Sequence, residues 1–353
     1  MKIGRTGVGR GGEEYAGVDW FRMAAAVMVI AIHTAPFSGI SSTADQLVTY
    51  GACRVAVPFF FMTTGYFVLG SWMKSGFRQT GRAAGSLKKT LKLYLAAVIL
   101  YFPVSIYAGN VPDSPGKLLK DLIFDGTFYH LWYFPAVLIG SVLVMLLLRA
   151  MSLRKVMAVT FLLYLLGLGG DSWYGLAADV PGMETFYRAL FTVSSYTRNG
   201  IFFAPFFLAL GVWIRKEGCP ERSKRASLTG GLAVSLCLML AEGYISFYFN
   251  LQRHNSMYLF LPPVMYCLFQ LLLMMPGKAP RWTRDISMLV YIIHPAVLIL
   301  LRGAAGATGM TELMVGNPMI QFLTVSAASL AAAAAIGTGM KYLPRIRRNG
   351  EKT

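Results

Sequence analysis

Charge is what this sequence has least of. Of 353 residues only 14% are charged, and just 16 are Asp or Glu. A soluble domain of this length needs a far more polar surface, so a membrane protein leads. Four cysteines, Cys53, Cys219, Cys237 and Cys267, stand without CxxC spacing. Three lie in or beside apolar runs and read as small buried hydrophobes, which excludes a disulfide framework and a thiolate zinc site. There are only four histidines, with no HxxxH or HExxH pair, and carboxylates are scarce around them; no metal is expected. No internal repeat, soluble domain or signal-peptide cleavage site stands out.

What is abundant is apolar: 56% of the chain. A hydrocarbon core of about 30 Å takes roughly 20 helical residues. Runs of about that length occur at 18–36, 46–72, 90–109, 131–149, 155–170, 200–214, 226–249, 257–276, 285–302 and 319–341, with 155–170 and 200–214 the shortest. Prolines such as Pro58, Pro103 and Pro295 interrupt several, which a bundle tolerates when neighbours re-satisfy the freed carbonyls. The expectation is an all-α, multi-pass bundle of about ten transmembrane helices. It assigns residues 1–17 to a disordered basic tail, 18–343 to the membrane domain and 344–353 to a second basic tail.

The formal charge of +17 invites a nucleic-acid reading, but position decides against it. Alternate gaps, counted with the run ends that border them and beginning with the N-terminus, hold 25 of the 33 basic residues; the opposite side holds six, and Arg22 and Arg54 remain inside runs. The positive-inside rule then puts both termini in the cytoplasm. The charge is topological, and no nucleic-acid partner is expected. Aromatic residues near run ends read as an interfacial belt. The small-residue run SAASLAAAAAIGTGM reads as a packing helix.

The polar groups inside the apolar runs are the candidates for function. In DWFRMAAAVMVIAIHTAP, Arg22 and His33 are eleven residues apart, almost three helical turns. They therefore share one face, about 16 Å apart along the axis. An arginine near a helix end can snorkel; an intramembrane histidine is a functional candidate by default. His130 opens the fourth run, and His294 lies in the ninth, so three histidines have the chance to converge. His254, in NLQRHNS, reads as a solvated loop residue. Arg54 and Arg198 lie at the outer side, where a guanidinium fork suits an anionic or carbonyl-bearing ligand. Glu242 is the clearest carboxylate within a run and a partner for one of those arginines; Asp19, three residues before Arg22, is its expected ion partner.

The segments R-x10-H, RVAVPFFFMTTGYF, HLWYFP, TRNGIFFAPFFLALG and YIIHP occur in that order from Asp19 to Arg302. Together they resemble the acyltransferase family 3 membrane proteins. Within that family GVDWFRMAAAVMVIAIHTAPF and SYTRNGIFFAPFFLALG look most like the membrane portion of vancomycin-resistance-type serine/alanine racemases. Those continue into a soluble pyridoxal-phosphate domain; this chain stops at Thr353, and no racemisation is expected of it. The resemblance implies acyl transfer, first of acetyl, from cytoplasmic acyl-CoA to a hydroxyl on an extracytoplasmic sugar, peptidoglycan or amino-acid-type acceptor of the cell envelope. The setting would be the bacterial cytoplasmic membrane, with no permanently bound cofactor. It makes His33 the essential histidine and Arg22 and Arg54 characteristic arginines, and its motifs bring His130, Trp132, Arg198, Asn199 and His294 to the substrate side. The residue types suit the chemistry. A histidine near neutrality can deprotonate a hydroxyl, and Arg54, His294 or Arg198 can face a developing oxyanion. Arg22 would then meet the phosphate end or pantetheine arm of CoA. A membrane module for serine or amino-acid uptake is the competing expectation, with the arginines on a carboxylate and His33 relaying protons; a non-catalytic scaffold leaves these groups without a reason.

Overall fold

The computed structural model describes residues 15–350 except Asn110 and Arg281, with side chains as far as Thr338. Among the described residues there is no strand. Ten helices make the bundle: α1 (Ala16–Thr34), α2 (Ser42–Lys74), α3 (Thr80–Tyr107), α4 (Tyr133–Ala150), α5 (Leu153–Gly169), α6 (Ala204–Glu217), α7 (Arg225–Tyr248), α8 (Leu261–Leu273), α9 (Trp282–Thr308) and α10 (Pro318–Gly350). Each coincides with one of the expected apolar runs. Seven helices among the described residues are long and apolar enough to cross a membrane. The others, α5, α6 and α8, have only 17, 14 and 13 residues, so the count of ten full-length crossings is not met.

The shortfall has a local cause. Pro205 and the Pro262–Pro263 pair sit in first turns, where a missing N–H costs nothing, and the chain before each is irregular. That irregular backbone is buried in protein, where its polar groups find partners. α6 is the axis of the molecule: almost every residue from Ala204 to Ile214 is buried, and it packs on α2, α4 and α5. α3 and α7 lie outside, showing Leu91, Leu95, Ile99, Phe102, Val234 and Leu238 on their outer faces. A second apolar cluster, Ala26, Ile30, Val290, Leu298, Val325 and Ala333, joins α1, α9 and α10, where the small residues of α10 admit close packing.

α1 starts at Ala16, ahead of the expected boundary at residue 18, and residues 1–14 lie outside those described; α10 is helical as far as Gly350. Aromatic residues away from the run ends, among them Phe59, Phe61, Tyr66, Tyr101 and Tyr164, are fully buried. No disulfide joins the four cysteines among the described residues, and only Cys53 is buried.

Candidate functional site

α1 contains no proline or glycine after Gly17 and ends where Ala35 turns left-handed before Pro36. It is unbroken between Arg22 and His33, and both side chains point into the bundle. At the first end, Asp19 is buried. Its strongest partner is Arg284, whose Nε and Nη2 donate to the two carboxylate oxygens at 2.8 and 2.7 Å. Arg22 Nε stands 3.4 Å from the same carboxylate, so Asp19 is only secondarily the partner of Arg22. Arg22 thereby lines a cavity of about 320 Å³ with Lys89, Arg284 and the hydroxyls of Thr63, Thr64, Thr90 and Ser287. Three cations face one lining carboxylate, Asp285. Such a mouth suits phosphate oxygens.

The inner wall of this cavity is Phe60, Tyr133 and Tyr291. Their rings lie 5.4–6.5 Å apart. Tyr291 also faces the other way: its ring is 5.9 Å from that of His130 and 6.2 Å from that of His294, and its hydroxyl donates to the His130 carbonyl. One aromatic wall thus divides the basic cavity from a histidine cluster. There the His33 ring stacks on His294 at 5.3 Å, and His294 meets His130 at 5.5 Å. The three histidines, 261 residues apart at the extremes, converge.

Pro295 explains why His294 is rigid. A proline inside a helix removes one N–H, and the carbonyl four residues back loses its donor. That carbonyl is Tyr291's, and His294 Nδ1 fills the vacancy at 2.9 Å, with the Val290 carbonyl at 3.0 Å. Two acceptors at Nδ1 require the proton there, which leaves Nε2 as the lone-pair nitrogen. Tyr101 repairs the rest of the kink: its hydroxyl donates to the Ile292 carbonyl at 2.6 Å and accepts from Ala296 N–H at 3.2 Å.

Arg54 and Arg198 lie close enough to the cluster to bear electrostatically on His33. Arg54 donates to Asn255 and stacks over Tyr50; Arg198 lies 5.0 Å over Trp132 and 4.5 Å over Tyr196. Trp132 therefore seats Arg198. Asn199 does too, and its amide is fully spent on the loop: Nδ2 donates to Ser194 and Tyr196, and Oδ1 accepts from Ile201 and Phe202 N–H. Glu242 partners neither arginine. It accepts from Trp173 Nε1 and from Leu259 and Phe260 N–H, holding the approach to α8.

His254 is not a solvated loop residue. Its Nδ1 stands 3.4 Å from buried Asp171 and 3.0 Å from Ser256 Oγ, with its ring against Tyr196. Burial, and then the Arg198 charge, push its pKa down to about 4 despite Asp171. Burial pushes the Asp171 carboxyl up, yet His254 and the Ser256 and Met257 N–H groups outweigh it and hold it below the usual range. A histidine with a depressed folded pKa stabilises above its unfolded value near 6.5 and loses that stability as pH falls toward 4. Stability should therefore decline between pH 6.5 and 4, by up to about 1.4 kcal/mol per pH unit, and the melting temperature should fall with it. His254→Gln should flatten that decline; an unchanged slope in the variant would assign the titration elsewhere.

Six buried side-chain nitrogens without a hydrogen-bond partner belong to Arg22, Arg54, His130, Arg198 and His294. The Ile292 carbonyl is near His130 but is taken by Tyr101. Unpaired buried donors and acceptors are rare in native proteins; Arg22 Nε belongs to the basic cavity and the other five lie in or beside the histidine cluster, which marks both as places for ligand. No group of three His, Cys, Asp or Glu side chains among the described residues is arranged to hold a metal ion.

The acyltransferase domain family matches residues 15–338. An amino-acid racemase of Enterococcus faecalis is 41% identical over 322 residues, covering 90% of this chain and 45% of its own. A second from that organism is 36% identical over 328 residues, and a serine/alanine racemase of Enterococcus gallinarum is 41% identical over 283, or 79% of this chain and 40% of that one. The chain spans less than half the length of each. No solved structure matches it. A helical membrane protein whose whole described bundle matches one family model, the chain belongs to acyltransferase family 3.

Proposed function

We propose that this chain moves an acyl group, first of all acetyl, from cytoplasmic acyl-CoA to a hydroxyl on an extracytoplasmic envelope acceptor. In this reading the helices form ten crossings of the bacterial cytoplasmic membrane, α5, α6 and α8 completing theirs with buried irregular segments, and both termini are cytoplasmic. The single observation that carries it is the arrangement along α1. A cationic, hydroxyl-lined cavity surrounds Arg22, and a histidine cluster surrounds His33 about 16 Å further on, beyond the Tyr133–Tyr291 wall.

The phosphates of CoA would meet Arg22, Lys89 and Arg284, with the pantetheine arm directed at the wall. His33 takes the proton of the acceptor hydroxyl as its oxygen adds to the thioester carbonyl. Arg54 or Arg198 faces the oxyanion. Collapse breaks the C–S bond, and the proton passes from His33 to the leaving thiolate, giving an ester and free CoA. His294, locked by Pro295, supports the plane of the His33 ring.

Purified protein with acetyl-CoA and an envelope extract should release free thiol. Arg22→Ala should raise the KM for acetyl-CoA about tenfold or more with kcat within a few-fold, the loss of a charge-assisted contact made before chemistry. Identical acetyl-CoA dependence in variant and parent would remove Arg22 from the donor site.

A second reading is uptake of a small amino acid such as serine; the enterococcal relatives, named as racemases, give only the substrate class. Proteoliposomes that accumulate labelled serine, with no thiol released from acetyl-CoA, would favour uptake and overturn the transferase reading.

A further inference from the structure

Beyond the histidines, the loops around Arg54 and Arg198 close on a small group with an unusual charge balance. Arg54 is buried on α2; Arg198 is half-buried between Trp132 and Tyr196. Both arginines meet the segment 254–257: Arg54 donates to Asn255, Arg198 shares the Tyr196 ring with His254, and the Ser256 and Met257 N–H groups of the same segment hold Asp171. Asp171 Oδ1 is occupied by the Ser256 and Met257 N–H groups, and neither arginine forms an ion pair among the described residues. The neighbouring carboxylates are spent elsewhere: Asp45 on Thr49 and Phe37 N–H, Glu242 on the approach to α8. Yet the Nε of each arginine is buried without a hydrogen-bond partner.

Two fixed positive charges and one negative leave an excess of one, with Arg54 buried, Arg198 half-buried and donors to spare. Isolated buried charge is costly, and a buried guanidinium normally ends on an anion. We propose that Arg54 and Arg198 form a binding site for a single carboxylate, and that the molecule acted on beside His33 is a carboxylate-bearing one. This extends the preceding reading to the acceptor: it rests on that reading for the role of the bound molecule, though not for the binding itself. A carboxylate fits better than a phosphate monoester because one negative charge balances the group, whereas two would leave an uncompensated one in the same burial. The planar fork of a guanidinium also matches the two carboxylate oxygens. Arg253, on the exposed rim over Phe191, adds a solvated charge that draws anions toward the opening.

The test compares glycolate with glycolamide, which share a hydroxyl and differ by the carboxylate, using calorimetry on the purified full chain in detergent. Glycolate should bind about tenfold or more tighter than glycolamide, the difference expected of charge-assisted hydrogen bonds. Arg198→Gln and Arg54→Gln should each abolish that preference while acetyl-CoA binding is kept. Arg198→Lys, which holds the charge without the fork, should keep part of it. Asp171→Asn, which raises the excess to two, should shift preference toward inorganic phosphate. Equal binding of glycolate and glycolamide, no binding of either, or phosphate binding as tightly as glycolate to the parent chain would each overturn the site. The two readings fail separately. A chain that binds glycolate but never releases thiol loses only the transferase assignment; one that releases thiol equally well with neutral acceptors loses only this inference.

Discussion

His33→Ala should reduce thiol release at least about a thousandfold while leaving acetyl-CoA binding near its parental value. A positioned general base contributes roughly 10²–10⁴ in rate. The nearest other lone-pair nitrogen is His294 Nε2, and that ring is fixed by the bonds of its Nδ1 to the Tyr291 and Val290 carbonyls, so it cannot turn to take the place of His33. Arg54 and Arg198 are cations that cannot accept a proton near neutrality. Affinity should survive because the proposed phosphate contacts lie in the separate cavity around Arg22. Single-turnover assays with binding measured in parallel separate the two effects. Residual turnover within tenfold of the parent would move the base to another residue; loss of binding together with turnover would mean that His33 holds the bundle rather than the proton.

Gly211→Ala should cost about 3 kcal/mol or more of stability, although it adds one methyl group. α6 and α2 cross backbone to backbone here. A Cβ on Gly211 would stand 2.4 Å from the Met62 carbonyl oxygen and 2.8 Å from Tyr66 N, and one on Gly65 would stand 2.1 Å from the Leu208 carbonyl oxygen. These neighbours are main chain of two helices, so neither can swing aside. Both glycines sit at ordinary helical angles; the requirement is proximity. Small residues let membrane helices approach this closely, and the α2 turn at Gly65–Leu69 is widened to a π-helix at the same place. Gly303→Ala in α9, with open space around it, is the control and should be neutral or slightly stabilising. Melting curves in detergent compare the three chains. A Gly211→Ala chain melting with the parent would show that the crossing yields more easily than its geometry implies.

The parts of this molecule that could be read from its sequence are those governed by local rules. Apolar run length located ten helices, and a 3.6-residue period put Arg22 and His33 on one face because nothing between them bends α1. Which carboxylate meets which arginine was not legible, since partners are chosen across the bundle. Asp19 prefers Arg284, 265 residues away, to Arg22 three positions on. Glu242 serves backbone donors 17 and 18 residues downstream, for which Pro262–Pro263 was the available hint: prolines start a helix whose orphan donors need an acceptor. Asp171 and His254 looked like ordinary loop residues because their pairing depends on two irregular segments folding inward together. Tyr133 and Tyr291 were hidden among many aromatic residues.

The Phe60, Tyr133 and Tyr291 wall has an electrical consequence. With a water-accessible basin on one side and a polar cluster on the other, a transmembrane voltage falls mostly across those few rings, not across the whole bilayer. Each elementary charge driven through would exchange about 2.3 kcal/mol per 100 mV. In the proposed reaction the acetyl group carries none, so passing it from a donor thioester to an outer hydroxyl would require no work against the field, whatever the energised state of the cell.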